Sequence, residues 1–286
     1  MQLISLAIIG ACIGSFINVV AWRFPRKESL IWPGSHCPCC GSDVRWYDNL
    51  PVVAWLQLGG RCRDCKASIP VRYPAVEALC AGLWVSAALA APTSMGLVPS
   101  WFNLWAGAAL VSVLLPLVLI DLEHMRLPEP FCRLGLLLGI SATVAAALLL
   151  GWQQGSTLLL NHLLAAAVAL LALELFATFW QVIIRIINWT ARCQIKPLKG
   201  LGTGDAKLAA MGGAWLGLKG IAMALAIANV SGALFGVISF ASGRLKWRQP
   251  FPFGPFIAIG IWGVWLCGPD WWWYQWQILI RNLMGL

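Results

Sequence analysis

Two pairs of cysteines in this sequence are spaced in a way that suits metal binding. Cys37 and Cys40 form the first C-x-x-C pair, and Cys62 and Cys65 form the second. Two such pairs, roughly 20 residues apart, are typical of sites in which four thiolates surround a structural Zn²⁺ ion. Two disulfides or a redox C-x-x-C are alternatives, but a reducing cytoplasm disfavours the first, and no βαβ pattern supports the second. We therefore predict a zinc site, with the register of the first pair left open by Cys39.

Two aspartates lie at the ends of long apolar segments, where a charged group is costly. Asp121 is the first charged residue after an uncharged run that begins at Ala78. Asp205 follows Gly202-Thr203-Gly204 and precedes another apolar segment. An ionisable group at the edge of hydrocarbon indicates a functional site. For Asp121 alone, the alternative is a helix that has simply reached water.

Two carboxyl groups at one place can hydrolyse a peptide bond. One ionised carboxylate activates water and one protonated carboxyl polarises the carbonyl, and the pair shares a proton because ionising both is costly. Asp205 begins a helix beside Lys207, so we expect it to ionise first. Asp121 ends an apolar helix close to Glu123, so we expect it to hold the proton.

The rest of the sequence predicts the membrane helices that must position these residues. Hydrophobic residues make up 60% of the 286 residues and charged residues only 11%, against about a quarter in soluble domains. Several uncharged runs reach the ~20 residues that a spanning helix needs. We predict an all-α protein, a polytopic transmembrane bundle of about seven or eight helices with a cytoplasmic zinc-binding loop. The net charge of +9 lies mostly in loops, which favours lipid over nucleic acid as a partner.

Basic residues set the predicted orientation of the first helix and of the cysteine loop. Met1–Trp22 is uncharged, and Arg23, Arg26 and Lys27 follow it. A cleaved signal peptide carries its positive charge before the apolar run, so we expect a retained helix with its amino terminus outside. Its small and polar residues at 14–18 suit packing against another helix. Residues 25–73 are hydrophilic and basic and are expected in the cytoplasm.

The later segments are expected to alternate across the membrane and to bring both aspartates to its cytoplasmic face. The expected elements are spans at 134–152, 158–184 and 221–243, with external turns at 92–100 and 153–156. The segment 208–218 is short for a span, so it is tilted, partly embedded or continued past Lys219. The aromatic run 271–276 predicts an interfacial belt, and 271–286 either lies in the interface or spans once more.

The motifs, in their order along the chain, resemble those of the prepilin peptidases, the leader peptidases of type IV pilus and type II secretion systems. The resemblance covers nearly the whole chain. It rests on Gly14-Ser15-Phe16-Ile17-Asn18-Val19-Val20, the two cysteine pairs, Asp48-Asn49-Leu50-Pro51, Gly60-Arg61-Cys62, Arg72-Tyr73-Pro74 with Glu77, Ile120-Asp121 with Leu127-Pro128, Gly202-Thr203-Gly204-Asp205-Ala206-Lys207 and Pro252-Phe253-Gly254-Pro255. One Gly-x-Gly-Asp motif is weak by itself, whereas the ordered set is specific.

This resemblance implies a bifunctional enzyme of the bacterial inner membrane. Asp121 and Asp205 would be the catalytic pair of an aspartyl endopeptidase that removes the basic leader of prepilins or pseudopilins at the cytoplasmic face. The enzyme would then methylate the new amino terminus with S-adenosylmethionine, and Gly60 is expected near that cofactor. Glu129 stands where members often carry Asp, and we expect little effect from this difference.

The resemblance also implies a division of the chain into three parts. The first is a transmembrane helix at residues 1–24, and the second is a cytoplasmic four-cysteine zinc domain at residues 25–73, associated with methyl transfer. The third is a membrane-embedded aspartyl peptidase domain at residues 74–286. The expected partners are a prepilin or pseudopilin and membrane lipid, with no nucleic acid; the sequence predicts no oligomeric state.

Other classes of membrane protein fit the sequence less well. His36, His124 and His162 form no H-E-x-x-H motif, which an intramembrane metalloprotease would carry. A Gly-x-Ser-Gly motif of rhomboid-like serine proteases is also missing. A proton-coupled transporter or an assembly scaffold is the rival outside proteolysis. Transport would predict carboxylates near the middle of the bilayer and an internal repeat, and the sequence indicates neither.

Overall fold

The regular structure of this chain is helical, as predicted. The computed structural model describes residues 2–90, 98–191, 203–243, 249 and 251–284. Within these ranges the α-helices are α1 Gln2–Arg23, α2 Val53–Gln57, α3 Arg72–Ala90, α4 Ser100–His124, α5 Glu129–Leu150, α6 Trp152–Ala191, α7 Thr203–Ala241, α8 Gly254–Cys267 and α9 Pro269–Met284. Six of them are long and apolar enough to cross a membrane, namely α1, α3, α4, α5, α6 and α7, and α8 is apolar but shorter.

Helix α7 is broken at Gly217, where φ is 69° and ψ is −179°. Its 39 residues in one straight helix would measure about 58 Å, close to twice the ~30 Å of a hydrocarbon core. A Cβ at Gly212 would lie 2.9 Å from Cδ1 of Ile221, yet nine residues along a continuous helix are about 13 Å apart. The chain therefore turns back at Gly217. The predicted segment 208–218 ends in this turn, and 221–243 is a separate span.

With this turn, the described residues contain eight apolar helical segments, in agreement with the predicted seven or eight. They are α1, α3, α4, α5, α6, the first half of α7 (203–216), the second half of α7 (218–241) and α8. Helix α9 is not among the helices long and apolar enough to span. Trp272 of α9 donates from Nε1 to the Gly263 carbonyl at 2.9 Å, and Asp270 pairs with Lys219, so α9 contacts α8 and the start of the second half of α7.

One predicted turn is shorter in the structure. Residues 153–156 are helical and belong to the first turn of α6, and the reversal is made by Gly151 at φ +79°. No residue in 153–156 forbids a helix, so their polarity alone was a weak turn signal. A Cβ at Gly155 would clash with the Ala147 carbonyl, which shows how closely α5 and α6 approach. The other predicted external turn, at 92–100, lies mostly outside the described residues, which resume at residue 98.

The chain forms two compact units, Met1–Pro92 with Ser100–Ile120 and Thr93–Pro99 with Asp121–Leu286. In the first unit α1 packs closely on α3, because a Cβ at Gly14 would lie 2.8 Å from Cα of Glu77. Asn18 also donates from Nδ2 to the Tyr73 carbonyl at 3.1 Å. Small residues and interhelical hydrogen bonds are the usual means by which membrane helices associate. The predicted packing role of 14–18 is confirmed.

In the second unit α7 lies against α5, α6 and α8. A Cβ at Gly213 would lie 2.7 Å from the Ala165 carbonyl of α6. Trp215 donates from Nε1 to the Gly135 carbonyl of α5 at 2.8 Å and stacks edge-on against Trp265 of α8. Buried Trp N–H groups need such partners. The predicted functional division at residues 24 and 73 stays a prediction.

Candidate functional site

Asp121 is buried at the carboxyl end of α4. Asp121 is 5% exposed, and its Oδ2 accepts a hydrogen bond from the Gly254 N–H at 2.9 Å. The helix ends just beyond it, since Met125 takes a left-handed conformation and donates its N–H to the Asp121 carbonyl at 2.8 Å. A buried carboxyl group requires a hydrogen-bond donor. The first N–H groups of α8 supply that donor, because they have no partner within their own helix.

Leu127 connects the surroundings of the two predicted catalytic residues. A Cβ at Gly254 would lie 2.6 Å from Asp121 Oδ2 and 3.2 Å from Leu127 Cδ2. On its other side, Leu127 Cβ lies 3.0 Å from where a Cβ of Gly204 would be. Gly204 immediately precedes Asp205. The end of α4, the start of α7 and the start of α8 therefore meet around this leucine.

Asp205 lies in the first turn of α7 and is partly exposed. The neighbouring Lys207, whose charge was expected to act on Asp205, forms an ion pair with Glu129 at 3.1 Å. Glu129 also pairs with Arg133 at 2.5 Å, so this residue ties the start of α5 to the start of α7. In the sequence, Glu129 is notable only because family members often carry Asp at this position. Gly202, the first glycine of the motif, lies outside the described residues.

The turn at Gly217 is stabilised by three polar side chains from α5 and α6. The Ala214 carbonyl accepts hydrogen bonds from Thr143 Oγ1 at 3.0 Å and from His162 Nδ1 at 2.9 Å. The Leu218 N–H donates to Asn161 Oδ1 at 3.3 Å. In a continuous helix this carbonyl and this N–H would bond to each other. The three side chains thus supply new partners for the carbonyl and for the N–H that lose their mutual hydrogen bond at the turn.

This turn fixes where the helix carrying Asp205 ends. Backbone that leaves the helix at membrane depth is tolerated where protein surrounds it, and Gly217 is buried. A Cβ at Gly217 would lie 2.6 Å from Asn161 Nδ2. The sequence did not predict this cluster. A usable signal was the presence of Thr143, Asn161 and His162 in otherwise apolar spans, because polar groups there must find partners.

The four predicted metal ligands come together in the cysteine loop. The Sγ atoms of Cys37, Cys40, Cys62 and Cys65 all lie within 4.8 Å of one another. Cys37 and Cys65 are 3.7 Å apart, and tetrahedral coordination with Zn–S bonds of about 2.3 Å needs an S–S separation of about 3.8 Å. A disulfide would need about 2.05 Å. Cys39 is exposed and lies outside the cluster, which supports Cys37 and Cys40 as the first pair.

Both C-x-x-C pairs fold into the same type of turn. The Cys37 N–H donates to the Ser42 carbonyl at 2.9 Å, and the Cys62 N–H donates to the Ala67 carbonyl at 2.8 Å. The residue after each pair has a positive φ, +73° at Gly41 and +60° at Lys66. Each turn therefore points two sulfurs to the same side. The four-cysteine cluster fits Zn²⁺ in number, ligand type and spacing.

The thiols of the cluster differ in acidity. Hydrogen bonds from the side chain and backbone of Ser42 lower the pKa of Cys40 to about 6. For Cys65, the hydrogen bond from the Ala67 backbone lowers the pKa, but burial and the three neighbouring thiols raise it to about 12. Cys65 is therefore the thiol that most resists ionisation without a cation. A bound metal ion stabilises all four thiolates, so its binding releases protons.

Gly60 has a structural explanation in the turn before Cys62. Its φ is +67°, which favours glycine, and a Cβ there would lie 2.8 Å from the Trp55 ring. Trp55 in turn donates from Nε1 to the Ile69 carbonyl at 3.0 Å. Gly60 therefore lets the Trp55 ring cover the turn. Its predicted contact with S-adenosylmethionine stays a prediction.

Comparisons with known sequences cover most of the chain. Residues 8–91 match the "Bacterial Peptidase A24 N-terminal domain", and residues 108–237 match the "Type IV leader peptidase family". No solved structure matches the chain significantly.

Several similar curated proteins carry the name "Prepilin leader peptidase/N-methyltransferase". The protein of Myxococcus xanthus is 35% identical over 84% of this chain, and the match covers 64% of that relative's length. The protein of Burkholderia pseudomallei is 32% identical, with 91% of this chain and 84% of the relative covered. The protein of Pseudomonas aeruginosa is 32% identical, with 89% and 87% covered. By its matched domains and by these relatives, the chain belongs to the type IV leader peptidase family.

Proposed function

We propose that this chain removes the leader peptide of type IV prepilins or pseudopilins and then methylates the new amino terminus. Cleavage is assigned to Asp121 and Asp205 at the cytoplasmic face of the inner membrane. Methylation is assigned to the unit that carries the cysteine loop, with S-adenosylmethionine as the methyl donor. The names of the relatives support both activities.

The observation that carries the proposed cleavage is the setting of Asp121. A buried carboxyl group oriented by the Gly254 N–H lies beside Leu127, which also contacts the glycine before Asp205. The main-chain hydrogen bond holds one carboxyl oxygen of Asp121 in place. Asp205 is partly exposed at a helix start, where the helix dipole favours a negative charge.

These two settings support different roles in peptide hydrolysis. In the proposed mechanism the ionised Asp205 removes a proton from water while Asp121, carrying the shared proton, donates a hydrogen bond to the scissile carbonyl. The proton belongs to the coupled pair, so the roles describe one protonation state of the dyad. In this mechanism the two carboxyl groups carry out the hydrolysis, and the cysteine cluster lies on another part of the chain.

The proposed zinc site has a structural role. Four thiolates fill a tetrahedral shell and leave no position for water or substrate. Zn²⁺ would therefore be held by Cys37, Cys40, Cys62 and Cys65 and would fix the two turns against each other. The basic residues of 25–73 support a cytoplasmic position for this loop.

Mass spectrometry of a co-expressed prepilin tests both activities at once. Wild-type protein should remove the leader and add about 14 Da, the mass of one methyl group in place of hydrogen, to the new amino terminus. Asp121→Asn and Asp205→Asn should each lower cleavage at least 1,000-fold, roughly the loss seen when a member of a catalytic set is removed. Asparagine is isosteric with aspartate, so the helices should be retained.

Asp270→Asn serves as the control. Asp270 is 86% exposed at its side chain and pairs with Lys219, and exposed pairs contribute little. Cleavage by this variant should equal that of the wild type. Substantial cleavage by either Asp121→Asn or Asp205→Asn would exclude the dyad, and an uncleaved prepilin with wild-type protein would exclude the peptidase.

A further inference from the structure

The first unit contains a cavity of about 360 Å³ that none of the roles above uses. One side is the cytoplasmic end of α1, and the other side is formed by two loop segments, 30–35 and 49–51. Sites for small molecules begin at about 300 Å³. The cavity is therefore large enough for a ligand of the size of a modified nucleoside.

Its lining presents apolar and polar surface in nearly equal amounts. Phe16, Ile31 and Leu50 present apolar surface, while Ser35, Asn49 and Arg23 contribute polar atoms. Among the residues that the structure describes, Arg23 is the only charged residue of the lining, and no carboxylate belongs to it. A lining of mixed polarity with one cation suits a ligand that combines a flat base, hydroxyl groups and a carboxylate.

The wall at 49–51 is fixed at both ends. Before it, Asp48 accepts two hydrogen bonds from the Arg63 guanidinium, at 2.7 and 2.6 Å, and Arg63 lies between two of the cysteines. After it, the Val52 N–H donates to the carboxylate of buried Glu77 on α3 at 2.7 Å. The wall is thus tied to the second cysteine turn and to a membrane helix.

Val52 itself is held in a rare conformation. Its φ is +62° and its ψ is −50°, and the Val53 N–H donates to the Pro51 carbonyl at 2.6 Å, which makes a γ-turn. For a β-branched residue this region is an outlier that persists only where other contacts impose it. Such strain concentrates at binding sites. Here the buried Glu77 carboxylate imposes it, next to the cavity wall.

The opposite wall is ordered by Arg23. Its Nη1 donates to the Ser29 carbonyl and its Nη2 donates to the Gly34 carbonyl, both at 3.1 Å. A guanidinium has five N–H donors, so these two bonds leave others for a ligand. The one cation of the lining therefore both holds the loop and faces the space enclosed by it.

We propose that this cavity binds S-adenosylmethionine, with Arg23 toward the carboxylate of its amino acid part and Asn49 and Ser35 among its polar contacts. The inference rests on the proposed methyltransferase function and gives it a site. It also supplies a reason for a zinc site in such an enzyme, because the cysteine turns hold the 49–51 wall through Arg63 and Asp48.

The chemistry requires little of the lining residues. When bound, S-adenosylmethionine supplies a methyl group on a sulfonium sulfur; the neutral amine of the substrate forms the N–C bond as the C–S bond breaks, and the bonding pair stays on sulfur. The resulting secondary ammonium group can release its proton to water. Because an α-amino group has a pKa of about 8, a sizeable share is neutral without a dedicated base. A lining without carboxylate or histidine is sufficient.

Direct binding of S-adenosylmethionine to the purified full-length protein tests this site. Leu50→Trp should fill the cavity and Asn49→Ala should remove a polar contact. We expect the dissociation constant, measured by titration calorimetry, to rise at least tenfold for Leu50→Trp and about threefold or more for Asn49→Ala, a loss typical of one hydrogen bond. Photo-crosslinked S-adenosylmethionine should attach to peptides of α1, 30–35 or 49–51.

Leu56→Trp is the matched control, because Leu56 is 65% exposed on α2 and is absent from the lining. It should bind like wild type, and all three variants should keep their zinc content and their cleavage of prepilin. Wild-type binding by both cavity variants, or crosslinking elsewhere, would overturn the inference while leaving the proposed function intact. A wild-type protein that cleaves prepilin without methylating it would remove the methyltransferase proposal itself.

Discussion

The cysteine loop and the carboxylate site are built in opposite ways. In the loop, each turn is closed by bonds between near neighbours, such as Cys37 with Ser42 and Cys62 with Ala67. At the site, Asp121 meets Gly254 across 133 positions of sequence, and three helix ends come together around Leu127. The loop is built around four sulfurs that could hold a cation, whereas the site depends on a packed set of helices.

This difference determines how each region should fail. The loop is exposed and has few buried side chains, so we expect most of its stability to come from the proposed metal coordination. The site is surrounded by membrane helices whose backbone bonds are satisfied internally. Removing the metal should disrupt the first region, and single changes of shape should disrupt the second.

The largest expected effect is that of removing zinc. Chelation, or Cys37→Ser with Cys62→Ser, should unfold the loop, because structural zinc contributes about 10–16 kcal/mol in small zinc domains. Methylation should fall to background while leader cleavage persists. Zinc content measures the loss of metal, limited proteolysis of 25–73 measures unfolding of the loop, and prepilin mass spectrometry measures methylation and cleavage. Zinc should be released more readily as pH falls, because the thiols must stay deprotonated.

Cys39→Ser is the internal control for this experiment. Cys39 belongs to the same segment but lies outside the four-sulfur cluster, so its loss should change neither zinc content nor methylation. If chelation left the fold and both activities unchanged, the contrast between the two regions would be wrong. An equal loss of cleavage and methylation would show that the site also depends on the loop.

A smaller but specific effect is expected from Gly254→Ala. The new methyl group would lie 2.6 Å from Asp121 Oδ2, so the carboxyl group or the start of α8 must move. Displacement of a catalytic group by about 1 Å can cost about 100-fold in rate. We expect the rate of leader cleavage to fall by about that factor. Methylation of a pre-cleaved substrate should be retained.

Gly263→Ala is the matched change on the same helix. Its Cβ would lie 3.4 Å from the Trp272 ring, which is ordinary contact. Cleavage by this variant should stay within about twofold of wild type, as for surface substitutions generally. Wild-type cleavage by Gly254→Ala would show that the hydrogen bond from Gly254 does not position Asp121.

The same contrast explains what could be predicted from the sequence. Cys37, Cys40, Cys62 and Cys65 could be assigned because a C-x-x-C turn specifies its own geometry within a few residues. The number of membrane segments followed from hydrophobic length. Even the break in α7 was signalled, since the apolar stretch before Lys219 was too short to span.

Contacts made by distant segments could not be predicted from one sequence. The partner of Asp121 is a backbone N–H, which no residue type reveals. Lys207 pairs with Glu129, a residue more than seventy positions earlier, and the sequence did not indicate this partner. The role of Thr143 and His162 depends on a single carbonyl, that of Ala214. Such partners follow from the packing of helices, which periodicity does not specify.

Thr143→Val tests how the site is supported from a distance. Valine keeps the shape of threonine but removes the hydrogen bond to the Ala214 carbonyl, which His162 still contacts. We expect a loss of about 1 kcal/mol in stability and a fall in cleavage of several-fold, because the end of the helix that carries Asp205 is loosened. Thermal unfolding in detergent and cleavage rates measure the two effects.

Thr178→Val provides the comparison for this change. Thr178 Oγ1 bonds to the carbonyl of Glu174 in its own helix at 2.7 Å, and that carbonyl keeps its helical partner when the hydroxyl is removed. The variant should be as stable and as active as wild type. An equal effect of both substitutions would indicate that the Gly217 turn does not need its polar contacts.

The smallest expected effect distinguishes the two cysteine turns from each other. They share their backbone, but the position after the second cysteine is Gly41 in one turn and Lys66 in the other, both at positive φ. A left-handed conformation costs an L-residue roughly 1 kcal/mol or more, so Lys66→Gly should tighten apparent zinc binding about fivefold in competition with a chelator. Gly41→Lys should weaken it by a similar factor, since a Cβ at Gly41 meets no atom within 4 Å and only the backbone is strained.

Opposite shifts of similar size would show that the loop is limited by its backbone turns. If neither substitution changed zinc binding, the four sulfurs alone would set the stability of the loop, and its contrast with the carboxylate site would be sharper still.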